Sequence, residues 1–218
     1  TGFEHVETDA GGRAIRTLSR RSPVSGNNLT LTIDSRLQEV ADQAFGQFRG
    51  ALVAIEPKSG EVLAFVSKPG FDPNLFIDGI DPETWKELNE SPDRPMVNRV
   101  LRGIYPPGST IKPFMALAGL ELGIRKPSDS IVDPGYYSLP NSRHQFRDWK
   151  AGGHGVVDLR RAITQSCDIY FYRLAVDMGI DRMHESLSLF GLGQKTGIDI
   201  AGERSGLLPS TAWKRGAF

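Results

Sequence analysis

The 218-residue sequence has one cysteine, Cys167, no excess of either charge and no long apolar run. A single cysteine cannot form an internal disulfide, and there is no Cys-x-x-Cys pair, so a disulfide scaffold and a thiolate zinc module are both excluded. The 26 basic and 26 acidic residues cancel, which argues against a nucleic-acid or other polyanionic partner. Apolar stretches such as 114–118 are far shorter than the roughly 18 to 20 residues that cross a bilayer.

The remaining composition is that of a globular domain, with 39% hydrophobic and 24% charged residues. No initiator methionine or signal peptide precedes Thr1, and residues 1–25 show no sustained periodicity. We therefore expect the chain to begin inside a larger protein and to be truncated after Phe218.

Local patterns predict strands and helices in an α+β order. Apolar and polar residues alternate over 29–33, as in a half-buried strand. An amphipathic helix is predicted to start at Asp34 or Ser35 and to end near Gly46 or Gly50. The other predicted elements are a hairpin over 51–66 and helices at 83–89, 109–121, 158–165, 168–178 and 181–190.

A serine and a lysine lie three residues apart at the start of one predicted helix. That spacing puts the Lys112 amine beside the Ser109 hydroxyl. A lysine whose pKa is lowered by burial and nearby positive charge can remove the serine proton before the serine attacks a carbonyl. The Ser109 N–H is a candidate half of an oxyanion hole. Alternatively Ser109 caps the helix and Lys112 is solvated, and spacing alone does not decide between the two.

The wider segment YPPGSTIKP, residues 105–113, closely resembles the active-site segment of the class B penicillin-binding proteins. A second block, 162–172, is similar to that family's second motif. This motif is Ser-x-Asn in most members and Ser-x-Asp in the elongation-specific penicillin-binding protein 2 branch. Here the motif consists of Ser166 and Asp168. Weaker matches extend the resemblance over roughly 28–209, at 57–64, 71–74 and 193–199.

The resemblance implies a role for each motif residue. Ser109 would be the acylated nucleophile, Lys112 the general base and Ser166 a proton shuttle to the leaving group. Asp168 would position Lys112 or the substrate. From the residues alone, Ser166 and Asp168 flank a turn between two predicted helices, so a helix cap is the alternative for both.

The resemblance also implies a fold and a domain division. The fold would be the α+β transpeptidase fold of penicillin-binding proteins and serine β-lactamases, with helices packed on a mostly antiparallel sheet. Residues 1–27 would be the remnant of the N-terminal pedestal region, and 28–218 a transpeptidase domain without its C-terminal strands.

The family's third motif, Lys-Thr/Ser-Gly, is spelled by Lys195, Thr196 and Gly197. These residues follow a glycine-rich stretch, and similar segments occur in relatives apart from the catalytic motif. We expect that residues 195–197 are a decoy, a match to the motif without its catalytic role, and that the true third motif lies beyond Phe218. This chain alone would then be catalytically incomplete.

Four residues are candidate metal ligands: Asp133, Asp148, His154 and Cys167. Two carboxylates, an imidazole and a thiolate suit tetrahedral zinc, although their spacings of 15, 6 and 13 match no compact finger. Turn, loop and buried small-residue roles are the alternatives. Resemblance to proteobacterial elongation-type relatives favours a structural zinc, with His144 as the reserve ligand.

No other cofactor chemistry is indicated. No organic cofactor is expected, and no histidine has a recognisable Ser-His-Asp setting, the candidates being His5, His144, His154 and His184.

The implied function is that of a peptidoglycan D,D-transpeptidase, an acyl transferase of the carboxypeptidase class that crosslinks stem peptides during cell elongation. β-Lactams would acylate the same Ser109. The resemblance further implies a single-pass inner-membrane anchor outside this chain, a catalytic domain in the bacterial periplasm and a membrane glycan polymerase as partner.

Two other functions remain open at this point. A serine β-lactamase or β-lactam sensor of the same superfamily would share Ser109 and Lys112, but the 108 residues before Ser109 favour the longer class B layout. A non-catalytic, zinc-stabilised cell-wall scaffold would have no need for intact Ser109, Lys112 and Ser166.

Overall fold

A computed structural model describes residues 2–77 and 79–217. The chain divides into two compact units. The first comprises Thr1–Gly46 and Leu52–Val66, and the second Gln47–Ala51 and Ser67–Phe218. The domain boundary expected between residues 27 and 28 is not tested by this division and stays a prediction.

Within the described residues, eight short strands form four two-stranded sheets. The strands are Phe3–Thr8 (β1), Ala14–Arg21 (β2), Gly50–Ile55 (β3), Val62–Lys68 (β4), Ile131–Asp133 (β5), Tyr136–Tyr137 (β6), Phe146–Arg147 (β7) and Gly155–Val157 (β8). β1 pairs with β2, β3 with β4, β5 with β8 and β6 with β7. The first, third and fourth of these pairs are antiparallel.

The same residues form eight α-helices and two 3₁₀ turns. The helices are Ser35–Phe45 (α1), Pro82–Glu90 (α2), Arg99–Arg102 (α3), Lys112–Glu121 (α4), Leu159–Thr164 (α5), Asp168–Met178 (α6), Ile180–Ser188 (α7) and Thr211–Ala217 (α8). The 3₁₀ turns are Pro73–Phe76 and Gly108–Ile111. No helix in the part of the chain described here is long and apolar enough to cross a membrane.

In the first unit the predicted capped helix is confirmed, whereas the strand predicted before it is wrong. Asp34 caps α1 by accepting from the Arg36 and Leu37 N–H groups. Residues 29–33 form no strand, and Leu29 and Leu31 are 86% and 71% exposed. Alternation alone does not make a strand, because a strand also needs a neighbour to accept its backbone hydrogen bonds.

The second unit has its core where α4 and α6 pack together. Leu174 and Ile169 of α6 are fully buried, and a Cβ built on Gly119 of α4 would lie 2.8 Å from a Leu174 methyl group. The glycine therefore allows the two helices to approach closely. This packing places the start of α4 against the start of α6, where the two predicted catalytic motifs lie.

Candidate active site

The nucleophile segment begins with a 3₁₀ turn rather than with the α-helix predicted from Ser109. The reason is Pro113, which has no N–H to donate to the Ser109 carbonyl, so the Lys112 N–H bonds to that carbonyl instead. Gly108 enters the turn at φ 57°, a left-handed conformation that favours glycine. As a result Ser109 is exposed, whereas Lys112 is only 7% exposed.

The Lys112 amine makes three short hydrogen bonds across the cleft. It donates to the Ser166 carbonyl oxygen at 2.8 Å, to Ser166 Oγ at 3.0 Å and to Asp168 Oδ1 at 2.6 Å. Ser166 Oγ in turn lies 2.8 Å from Ser109 Oγ. Lys112 therefore reaches Ser109 through Ser166, whereas the spacing of three residues predicted direct contact between their side chains.

Ser166 and Asp168 are free to meet Lys112 because another residue caps α6. The cap is Cys167, whose Sγ accepts from the Tyr170 N–H at 3.4 Å. Ser166 has φ 52°, an unusual value for a residue with a side chain and one typical of functional sites. The helix-cap alternative for Ser166 and Asp168 therefore does not describe this turn.

The four candidate metal ligands lie together, all of them buried, with one ligand atom of each within 4.8 Å of all the others. Asp133 Oδ2 is 2.8 Å from His154 Nδ1 and accepts from Cys167 Sγ at 3.4 Å. Asp148 Oδ1 is 3.5 Å from the same ring nitrogen. His154 Nε2 is buried and has no hydrogen-bond partner among the described residues.

Burial and hydrogen bonding shift two pKa values in this cluster in opposite directions. Burial opposes ionisation of Asp133, but hydrogen bonds from Gly135, His154 and Cys167 outweigh it and lower the pKa of that carboxyl. Burial, with the nearby Asp133 and Asp148 carboxylates, raises the pKa of the Cys167 thiol to about 12 despite the bond from Tyr170. The cluster thus favours a positive charge at its centre.

Two glycines let the ligand-bearing loops approach each other. Gly153 has φ 76°, and a Cβ there would lie 2.3 Å from both the Asp133 carbonyl oxygen and the Gly135 nitrogen. Gly152 has nearly the same φ, 79°, but a Cβ there would meet nothing within 4 Å. Gly153 therefore provides close backbone packing beside Asp133 and His154, whereas Gly152 provides only a turn.

Substituting Gly153 by alanine should destabilise the protein much more than substituting Gly152. Both variants force alanine into a left-handed conformation, but only Gly153→Ala creates a backbone clash. We expect an additional loss of about 1–3 kcal/mol, which lowers the melting temperature by roughly 3–10 °C relative to Gly152→Ala. Thermal unfolding of the two variants measures the difference, and equal melting temperatures would contradict the close-packing role.

Sequence reasoning missed two contacts that join the ligand cluster to the catalytic turn. Asp148 Oδ2 accepts from the Asp168 N–H at 2.8 Å. The Trp149 indole Nε1–H donates to the Gln165 carbonyl at 3.0 Å, directly before Ser166. Trp149 directly follows the predicted ligand Asp148 and precedes Gly152 and Gly153. This position was the sequence signal that could have indicated its contact with the catalytic turn.

A cavity of about 630 Å³ opens beside Ser109, the predicted nucleophile. Ser109, Lys112 and Asp168 lie in its wall, which is otherwise mostly apolar and includes Met115 and Phe171. The Phe171 ring centroid is 5.6 Å from the Lys112 amine, within the range of a cation–π contact. The Ser109 hydroxyl and the lysine thus face a space large enough for a peptide segment.

Residues 195–197 are absent from the described lining of this cavity. Glu203 holds them instead, accepting from the Thr196 N–H and hydroxyl and from the Gly197 N–H. These bonds, those of Thr196 above all, lower the pKa of Glu203. That Lys195, Thr196 and Gly197 are a decoy stays a prediction.

The other histidines make packing contacts. His144 packs against Phe146, with ring centroids 4.6 Å apart, and His184 Nδ1 lies 3.1 Å from the Leu208 carbonyl oxygen. The ligand cluster found among the described residues contains His154 and not the reserve candidate His144.

Comparisons with known proteins agree on one family. The penicillin binding protein transpeptidase domain matches residues 50–218. The peptidoglycan D,D-transpeptidase MrdA of Acinetobacter baumannii is 50% identical over 213 residues, which are 98% of this chain and 32% of that protein. The chain thus spans about a third of the length of this relative.

Solved structures give the same result. Pseudomonas aeruginosa PBP2 in complex with WCK 5153 is 55% identical, with a TM-score of 0.81 over 86% of this chain and 42% of that one. The imipenem acyl-enzyme complex of penicillin-binding protein A from M. tuberculosis is 31% identical, with a TM-score of 0.73 over 83% of this chain and 45% of that one. The predicted fold class and the penicillin-binding protein 2 resemblance are confirmed. The chain therefore belongs to the penicillin-binding protein transpeptidase family.

Proposed function

We propose that this chain carries the acylating centre of a serine peptidoglycan D,D-transpeptidase. The observation that supports this most directly is the unbroken series of short contacts from Ser109 Oγ to Ser166 Oγ, from there to the Lys112 amine and on to Asp168. A helix cap and a solvated lysine would not produce this arrangement. The relative named D,D-transpeptidase indicates the substrate class, peptides ending in D-Ala-D-Ala.

The contacts supply a route for each proton of acyl transfer. In the reactive state Lys112 is a neutral amine, which donates to the Ser166 carbonyl oxygen and to Asp168 and accepts from Ser166 Oγ. Ser109 Oγ attacks the carbonyl of the penultimate D-Ala, and its proton passes through Ser166 Oγ to that amine. The C–N bond then breaks, and the departing D-Ala amine takes a proton from Ser166. An amine of a second stem peptide attacks the ester and gives up a proton through Ser166 Oγ, the ester C–O bond breaks, and Ser109 Oγ takes up that proton by the same route, which completes the crosslink.

Mass spectrometry of the full-length protein with a penicillin tests the proposal. We expect one covalent adduct, mapped to Ser109 and stable over hours, because a transpeptidase acyl-enzyme with a β-lactam is resolved slowly. Rapid loss of the adduct would identify a β-lactamase. A folded protein that forms no adduct would support the non-catalytic scaffold instead. The Ser109→Ala variant, which should remain unmodified, is the control.

The location and partners of the whole protein follow from the family rather than from this chain. We infer a periplasmic catalytic domain, an inner-membrane anchor outside these 218 residues and a membrane glycan polymerase as partner. β-Lactams are expected as inhibitors, since a relative forms an imipenem acyl-enzyme.

We further propose that Asp133, Asp148, His154 and Cys167 hold a structural zinc ion. The donor set fits, because one ligand atom from each of the four buried residues lies within 4.8 Å of the others. In addition, His154 Nε2 is buried without a hydrogen-bond partner among the described residues. Zinc prefers such nitrogen, sulfur and carboxylate ligands. When bound, the ion would neutralise the anionic ligands and tie together three segments of the chain, the end of β5, the loop between β7 and β8, and the turn before α6.

A further inference from the structure

A second cavity, of about 400 Å³, lies in the same unit as Ser109. None of its described lining residues belongs to the 630 Å³ cavity that contains the nucleophile. Its walls include the side chains of Tyr136, Gln145, Arg147 and Trp149. The phenol, amide, guanidinium and indole groups are all hydrogen-bond donors, and the phenol and the indole also provide flat rings. This is the chemistry of an anion-binding or peptide-binding surface.

Arg147 is the positive group of this cavity, and its charge has no counter-ion. Within residues 2–77 and 79–217 no carboxylate forms an ion pair with it. Asp148 also lines the cavity, but it is buried and its oxygens are occupied. Oδ1 accepts from the Lys150 N–H at 3.0 Å, and Oδ2 accepts from the Asp168 N–H at 2.8 Å. The Arg147 guanidinium is therefore available to a ligand carboxylate.

Trp149 connects this cavity to the catalytic turn. Its side chain is 66% exposed, yet two contacts hold it in place. The indole N–H bonds to the Gln165 carbonyl at 3.0 Å, and the ring packs edge-on against His154, 5.4 Å between centroids. An exposed aromatic ring fixed in this way contributes contact area at little entropic cost. Ser166, the next residue, is 2.8 Å from the nucleophile.

We propose that this cavity binds the acceptor stem peptide, with Arg147 pairing with one of its carboxylates and Trp149 flanking its aliphatic part. The inference rests on the proposed transpeptidase function. In that reaction the departing D-Ala amine and the attacking acceptor amine both exchange protons with Ser166. The acceptor therefore has to arrive beside Ser166, and the cavity that contains Arg147 is joined to that turn by the bond from Trp149 to the Gln165 carbonyl, one residue before Ser166.

The test measures how the full-length enzyme divides its acyl-enzyme between water and an acceptor. Ser109 is acylated with a synthetic peptide ending in D-Ala-D-Ala. The ester is then resolved in the presence of an amine acceptor peptide that carries either a free carboxylate or the corresponding amide. In each case the acceptor N–C bond forms and the Ser109 ester C–O bond breaks. Quantifying both products by mass spectrometry gives the ratio of aminolysis to hydrolysis.

We expect Arg147→Gln to lower this ratio about tenfold for the carboxylate acceptor, the loss of one charge-assisted pair, and not for the amide. Arg147→Lys, which keeps the charge, should recover at least half of the wild-type ratio. Arg143→Gln removes another exposed arginine, in the loop before β7 and outside the described lining of the cavity, and should behave as wild type.

Three results would overturn the proposal. The first is an Arg147→Gln enzyme with the wild-type ratio of aminolysis to hydrolysis. The second is an equal fall of this ratio for the carboxylate and the amide acceptor, which would indicate a structural effect or recognition of another group. The third applies if Arg147→Gln does not fold. In that case, an Arg147→Lys enzyme with the same ratio for the carboxylate acceptor as for the amide acceptor would overturn the proposal. If wild-type Ser109 does not acylate at all, the transpeptidase function itself fails. Normal acylation with an unchanged ratio refutes only the acceptor site.

Discussion

Replacing Lys112 by methionine should slow acylation of Ser109 by a penicillin about a thousandfold, since a positioned general base contributes about 10²–10⁴ to a rate. Methionine has a similar length and keeps the apolar packing at the start of α4, but it cannot accept the serine proton. Stopped-flow or mass-spectrometric acylation rates measure the loss. Lys86→Met, on the exposed face of α2, is the matched control and should acylate normally.

A double-mutant cycle tests the order of the contacts. Because Lys112 reaches Ser109 through Ser166, removing the Ser166 hydroxyl breaks the same route. Ser166→Ala in the Lys112→Met background should therefore add little to the loss. If the two losses multiply, Lys112 and Ser166 act independently, and the relay is wrong. Melting temperatures of each variant establish that the protein is folded, since Lys112→Met removes the hydrogen bond that Lys112 donates to Asp168.

Much of the fold could be predicted where the determining signals are local. The cap at Asp34, the turn between β3 and β4 and the bounds 168–178 of α6 all depend on a few adjacent residues. The hairpin of β1 with β2 was missed, because its residues are almost all exposed and show no alternation between buried and polar positions. The two- and three-residue strands β5 to β8 were also missed, since pairing such as Asp133 with Gly155 joins distant parts of the chain.

The sequence predicted which residues lie together here, but not how they contact one another. The motifs name Ser109, Lys112, Ser166 and Asp168, and the structure brings all four into one series of contacts. That Ser166 lies between the serine and the lysine depends on the left-handed turn after α5, 57 residues from Ser109. Sequence spacing within one helix carries no information about such a turn.

Removing a metal ion from the cluster of Asp133, Asp148, His154 and Cys167 should lower the melting temperature by about 10 °C or more. The ligands come from three separate segments, so the ion adds its binding free energy to folding. A loss of about 3–5 kcal/mol in a domain of this size corresponds to a shift of that order. Elemental analysis should find one zinc per chain before chelation.

Two histidine variants assign the ligand. His154→Ala should lose the zinc and melt at the temperature of the chelated protein, with no further fall on chelation. His144→Ala, which removes an exposed imidazole packed on Phe146, should keep its zinc and its melting temperature. If His144→Ala loses zinc and His154→Ala does not, the ligand assignment is wrong. If neither the wild type nor a zinc-supplemented sample contains metal, and chelation leaves melting unchanged, the zinc proposal is refuted.

Zinc loss should also slow acylation, by about ten- to a hundredfold, because the ligands and the catalytic turn share backbone. Cys167 lies between Ser166 and Asp168, and Asp148 Oδ2 holds the Asp168 N–H, so displacement of the ligands moves the groups that hold Lys112. A displacement of about 1 Å at a catalytic group costs about a hundredfold in rate. Adding zinc back should restore the rate and the melting temperature together. A chelated protein that melts lower but acylates at the original rate would show that the metal stabilises the fold without positioning the catalytic turn.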